Sequence, residues 1–183
     1  MDYSFKKSTY ERYDIRWSQC GWAIINIDEN GGVFNAQSDY NNYSYSWPHH
    51  GRKSFKHFII ELAKDKSYFL GKVSNRSYFN YEESLKSWER AIIEMRREYD
   101  CTKEQARNVW DFIHSLDDYS GSQHLTQLQI YESDAIREIC PEEPWYMFDT
   151  IMEYPHSARA FAEEVMPMLA EILKNEILEQ EQA

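Results

Sequence analysis

The chain reads as an α+β domain, with a small N-terminal antiparallel sheet of three or four strands followed by a helical part of about four or five helices. Three observations carry this expectation. In the first 50 residues, apolar and polar side chains alternate in short runs separated by turn residues, the period of strands with one buried face. From Asn80 onward the apolar residues recur instead at intervals of three and four, the period of amphipathic helices. The charge changes at the same place: residues 1–80 hold eleven Lys/Arg against eight Asp/Glu, and residues 81–183 hold nine against twenty-three, so the net −11 comes from the second stretch.

Tyr13, Ile15 and Trp17 share one face of a first strand, and residues 22–27 form a β-rich run through Ile24, Ile25 and Ile27. Glu29-Asn30-Gly31-Gly32 tolerates positive φ and marks a hairpin into residues 33–38. Residues 39–42 make a second turn. The next segment alternates Tyr43, Tyr45 and Trp47 with Asn42, Ser44 and Ser46. Pro48-His49-His50-Gly51 ends the sheet.

Ser54 is placed to cap a helix carrying Phe55, Phe58, Ile59 and Leu62, while residues 67–70 are too short a run to separate helix from strand. Asn80 and Glu83 have capping-box spacing, ahead of a stripe of Tyr81, Leu85, Trp88, Ile92, Met95 and Tyr99. Thr102 and Gln105 repeat that signal before Ala106, Val109, Trp110, Ile113 and Leu116, and Tyr119-Ser120-Gly121-Ser122 closes this helix. Leu125, Leu128, Tyr131, Ala135 and Ile139 predict a single further helix, stopped by Pro141 and Pro144. Ser157 is the expected cap of the last helix, with Phe161, Val165, Met168, Leu169, Ile172 and Leu173 facing the core. Pro167 should kink or split it, and the polar tail after Lys174 should fray. The whole is expected to be one domain, residues 1–183, with a sheet region (1–50), a basic connecting region (51–80) and an acidic helical region (81–183).

An aromatic content of 16% within a 42% hydrophobic chain supplies both core and contact area and argues against intrinsic disorder. No apolar stretch approaches a membrane span and the N-terminus has no secretory apolar region, so a cytosolic protein is expected. Cys20, Cys101 and Cys140 lie far apart, outside any Cys-x-x-Cys pair, and read as reduced structural thiols.

Chemistry in the sequence is sparse. His49, His50 and His57 match no metal-ligand spacing, so neither a metal nor another cofactor is expected. Asp117-Asp118 near His114, and Glu132 with Asp134, sit among helices already rich in acid, and neither a phosphate-binding glycine loop nor a nucleophile elbow occurs. A non-enzymatic protein is the expectation. Two surfaces remain. Glu82, Glu83, Glu89, Glu94 and Glu98 lie largely off the apolar stripe and are candidates for contacting a basic partner. Arg52, Lys53, Lys56, Lys64, Lys66, Lys72 and Arg76, interleaved with Phe55, Phe58, Tyr68 and Phe69, are the alternative candidates, for a nucleic-acid contact by an accessory protein. The stripe of residues 81–99 could also pair with a second copy, which makes a homodimer a further candidate assembly.

Arg16-Trp17-Ser18-Gln19-Cys20-Gly21-Trp22-Ala23, then Ser38-Asp39-Tyr40 and Tyr43-Ser44-Tyr45-Ser46-Trp47, resemble the opening of a family of small phage and prophage proteins, and the likeness continues in outline through Trp110-Asp111 and Pro144-Trp145. What the resemblance implies is kinship with anti-CRISPR inhibitors of Cas9. It implies a phage protein acting in the host bacterial cytoplasm on Cas9 or the Cas9–guide RNA complex, blocking target DNA binding or cleavage. It assigns no contact residues. Cas9-type effectors hold nucleic acid in positively charged channels, which an acidic protein suits.

Overall fold

The computed structural model describes residues 2–5, 7–116, 122–141 and 147–182. The chain forms two compact units, one made of residues 1–76 and 154–183 and the other of Ser77–Glu153. The first unit is therefore assembled from both ends of the chain.

In the first unit, β1 (Glu11–Arg16), β2 (Trp22–Asp28), β3 (Val33–Ser38) and β4 (Asn41–Ser46) form a four-stranded antiparallel meander in sequence order. The register sets Ile15 opposite Ala23, Ile27 opposite Phe34 and Ala36 opposite Tyr43, so these side chains point to one buried face. Arg12, Asp14, Asn35, Gln37 and Ser44 alternate with them and are exposed. The expected alternation in β4 holds for Tyr43 and Trp47, both buried, while Tyr45 sits at the rim of the core. In the hairpin, Asp28 Oδ1 accepts from the N–H groups of Asn30 and Gly31. Gly32 follows at φ 61, where a Cβ would stand 2.3 Å from the carbonyl oxygen of Trp47.

Three helices cover the buried face. Helix α1 (Phe55–Leu62) is capped by Ser54, and the carboxylate of Glu29 accepts from the N–H groups of Phe55 and Lys56. The undecided run 67–70 belongs to a helix, α2 (Lys66–Val73), whose Asp65 side chain caps Tyr68 N–H. The last run, residues 156–182, is α-helical at His156–Ala160, π-helical at Phe161–Val165 and α-helical again at Met166–Gln182. Pro167 neither ends nor splits it. The turn before the proline widens instead, Met166 N–H bonding five residues back to Phe161, which is how a helix accommodates a ring that removes one donor. The start also differs from expectation, since Pro155 stands at the cap position and no side chain caps it. The polar tail stays helical to Gln182.

The second unit contains a two-residue ladder of β5 (Tyr78–Phe79) with β6 (Met152–Glu153). Its helices are α3 (Tyr81–Glu98), α4 (Lys103–Ser115), α5 (Gln123–Glu132) and α6 (Asp134–Ile139); we call the run 156–182 α7. Asn80 caps α3, and a full capping box of Thr102 and Gln105 opens α4. Trp88, Ile92, Met95, Val109, Ile113, Ile136 and Phe148 are in its core. The indole N–H of Trp88 donates to the Asp149 carbonyl at 2.8 Å.

Seven helices among the described residues exceed the four or five expected, because residues 67–70 are helical and because the single helix expected over residues 125–139 is two. The chain bends at Ser133, whose hydroxyl caps α6. Burial along the two helices does not follow the spaced apolar residues. Thr126, Ile130 and Ile136 are buried, and Leu125, Leu128 and Tyr131 are about half exposed. Tyr99 likewise leaves the α3 stripe, ending the helix at φ 65 with its ring exposed. The closing turn expected at residues 119–122 lies outside the described residues apart from Ser122, which caps α5.

Candidate functional site

Tertiary structure redistributes the charge. Of the basic segment's candidates, Arg52 pairs with Glu61 at 2.6 Å, Lys53 with Glu181 at 3.5 Å and Lys66 with Glu163 at 3.7 Å. The Lys72 ammonium lies over the rings of Tyr45 and Tyr68, and the Arg76 guanidinium over that of Tyr154. Lys64 is exposed. Glu163, Glu176 and Glu181 all come from α7, more than 80 residues further along the chain. With α7 folded in, the first unit holds thirteen Lys/Arg against fourteen Asp/Glu, whereas Ser77–Glu153 holds seven against seventeen. Nearly all of the net −11 therefore resides in the second unit.

Lys56 is the only buried member of the basic set. Its Nζ donates to Glu11 at 2.6 Å and to Glu176 at 2.8 Å, and the hydroxyl of Tyr13 lies within 3.0 Å of both carboxylates, which share its single proton. Burial works against the ammonium, but the bonds to Glu11 and Glu176 outweigh it and hold the Lys56 pKa above its ordinary value. Burial, and then the bonds to the two carboxylates, push the Tyr13 phenol up. Glu176 moves down: its desolvation is overcome by Lys56 and Tyr13. This is an internal structural network. Its lysine is buried and engaged by two carboxylates of its own unit.

In the second unit, Glu82, Glu94 and Glu98 are exposed, Glu83 is half-buried and bonded to Lys86 at 2.7 Å, and Glu89 is half-buried beside His114 Nε2 at 3.1 Å. Helix α3 also carries Lys86, Arg90, Arg96 and Arg97. Its acids at the first turn and bases at the last complement the helix dipole. The acidity of the unit is broader than this helix. Asp100, Glu104, Asp111, Glu132, Asp134, Glu138 and Asp149 are exposed as well, and none of these seven, nor Glu82, Glu94 or Glu98, has an ion-pair partner among the described residues.

A groove of about 520 Å³ lies between α3 and α4 in this unit. Ile92, Ile93, Ala106 and Trp110 line it, with Arg96, Arg97, Arg107 and Asp111 at its polar margin. The expectations from sequence missed this arrangement. Its signal was present, since Ile92-Ile93 and Arg96-Arg97 are four apart on one helix and Arg107 and Trp110 three apart on the next. In the first unit, the ring of Trp17 stacks on Tyr40 beside Gly21, Asp39 and Glu164, and Tyr40 donates to Glu164 at 2.6 Å.

Other candidates are dispersed. His50 packs against Phe55 and Phe58, His57 bonds to Ser54, and no group of three or more His, Cys, Asp or Glu among the described residues could hold a metal ion. Asp117 and Asp118 lie outside the described residues, as do Pro144 and Trp145. Glu132 and Asp134 are exposed at the α5–α6 bend. Cys101 and Cys140 are buried and Cys20 is exposed; burial, and then the neighbouring Cys101, push the Cys140 thiol up. No helix among the described residues is long and apolar enough to cross a membrane.

No curated protein and no solved structure matches the chain. A family model does, over residues 3–175, which takes in both units. The chain belongs to the phage family Phage_phiTE_072.

Proposed function

We propose that this phage protein acts by binding rather than by catalysis, and that its acidic unit, residues 77–153, engages a host protein that presents a basic, nucleic-acid-binding surface in the bacterial cytoplasm. The observation that carries the reading is the segregation of charge: one unit holds seven Lys/Arg against seventeen Asp/Glu, while the other is near neutral. A field of that sign steers encounter with a positive groove and competes with nucleic acid for it. Cas9 with its guide RNA is the first partner to test, because its nucleic-acid channel has the complementary charge and the N-terminal motif resembles relatives of that activity.

The test is target-DNA cleavage by a panel of Cas9–guide complexes with the protein titrated in, against an unrelated acidic protein of equal charge. Inhibition saturating near one protein per complex is the expected result. No inhibition across the panel sinks the Cas9 assignment. The acidic-surface reading then rests on capture of other basic host proteins, and it fails if binding is indifferent to salt. The alternative, a nucleic-acid-binding accessory protein using residues 52–76, predicts a gel shift of free single-stranded RNA or DNA. The near-neutral first unit supports little such binding at physiological salt.

A further inference from the structure

Within the most acidic part of the molecule, the α3–α4 groove is locally basic. Arg96 and Arg97 come from the last turn of α3 and Arg107 from α4, and none of the three has an ion-pair partner among the described residues. Arg107 stands four residues before Asp111 on α4, at salt-bridge spacing, yet the pair is not formed. Between these guanidiniums the surface is apolar. Ile93 is 41% exposed although the buried stripe of α3 runs through its neighbour Ile92, and Trp110 is half-buried with His114 stacked on its ring at 4.9 Å. An open apolar trough flanked by guanidiniums on both walls matches a short segment with apolar anchors between carboxylates. Arginine forks bind carboxylates bidentately, and a trough between two helices accepts anchors spaced along a third.

We propose that the α3–α4 groove binds an acidic peptide segment of a partner protein, with one or two aliphatic or aromatic side chains seated over Ile93 and Trp110 and flanking Asp or Glu residues paired with Arg96, Arg97 and Arg107. The site is independent of the acidic surface proposed above, and has the opposite charge preference. The trough is about one and a half turns long on each helix, from 92 to 97 and from 106 to 111, enough for two anchors at most.

The experiment is selection of a random twelve-residue peptide library on the full-length protein, counter-selected against Arg96→Glu/Arg107→Glu. Enriched peptides carrying Asp or Glu around an aliphatic or aromatic anchor are expected. In fluorescence anisotropy they should bind Arg107→Glu about tenfold or more weakly. Ile93→Asp, at an exposed position that leaves the core intact, should lose binding equally, with circular dichroism showing unchanged folding of each variant. Four outcomes overturn the proposal: no enrichment, a basic consensus, binding unchanged in the variants, or occupancy of the groove by something else. The last is read by a single-stranded oligonucleotide or a concentration-dependent dimer whose formation Arg107→Glu abolishes. Since the cleavage assay does not involve this groove, its failure and the failure of this proposal are separable.

Discussion

The ammonium of Lys56 lies 2.8 Å from the carboxylate of Glu176, joining helix α1 to helix α7 across 120 positions of chain. Glu11 of β1 completes the pair and Tyr13 bridges the two carboxylates, so the network ties the N-terminal strand, the first helix and the last into one unit. The same contact holds the polar tail in helix, where its composition alone favours fraying.

Replacing Lys56 by Met keeps the buried stem and removes the charge. Two carboxylates are then left facing each other over a desolvated spot. A fully buried pair broken in this way costs about 3–5 kcal/mol. Here Glu11 and Glu176 are 46% and 31% exposed, so water takes up part of the loss. The expected cost is about 2 kcal/mol, read as a lower urea midpoint with unchanged slope. Lys56→Met/Glu176→Gln should recover part of it, and a double variant less stable than Lys56→Met would contradict the coupling.

Stability should fall at both ends of the pH scale for different reasons. The Glu176 pKa is depressed in the folded state, so its contribution is complete above the unfolded value of about 4.3 and is lost as pH falls through the folded one. Those of Lys56 and Tyr13 are raised, so their contributions are complete below about 10 and are lost as pH rises through the folded values. Thermal melts from pH 3 to 11 should show an acid limb that Glu176→Gln makes shallower. An identical acid limb in that variant would remove Glu176 from the account.

Of the five α3 glutamates, Glu83 and Glu89 are occupied by Lys86 and His114. Glu82→Gln/Glu94→Gln/Glu98→Gln should therefore weaken binding of a basic partner more than Glu83→Gln/Glu89→Gln. The expected loss is about three- to tenfold at low ionic strength, mainly in the association rate measured by stopped flow. It should vanish near 1 M salt, where the screening length is about 3 Å. Equal losses in the two variants would mean that local pairing does not decide which carboxylates are available.

Gly32→Ala tests the hairpin. A methyl group there would lie 2.3 Å from the Trp47 carbonyl oxygen, a backbone atom that cannot rotate away, at a φ that L side chains rarely adopt. The expected cost is about 2–3 kcal/mol by urea unfolding, with a shifted tryptophan emission as the Trp47 strand end moves. A neutral substitution would show that the turn relaxes freely.

The local elements were legible because their signals are local. Period-two alternation settles which face of each strand is buried, since adjacent side chains must point opposite ways, and the caps at Asn80 and Thr102 mark helix starts through a donor only three residues on. Elements failed where a short-range pattern met a long-range decision. The spacing from Leu125 to Ile139 reads as one helix, but the chain bends at Ser133, which ends one helix and caps the next. Pro167 signals a break that one widened turn absorbs. Charge shows the limit most clearly. The sequence by itself determined the α+β class, an N-terminal antiparallel sheet of three or four strands and an acid excess that begins near residue 80. Only the tertiary structure decided that Glu163, Glu176 and Glu181 return to Lys66, Lys56 and Lys53, leaving the sheet unit near neutral and residues 77–153 strongly acidic. The physical reason is that Coulomb attraction depends on distance in space, and spacing along the chain carries no information about which charges folding brings within 4 Å.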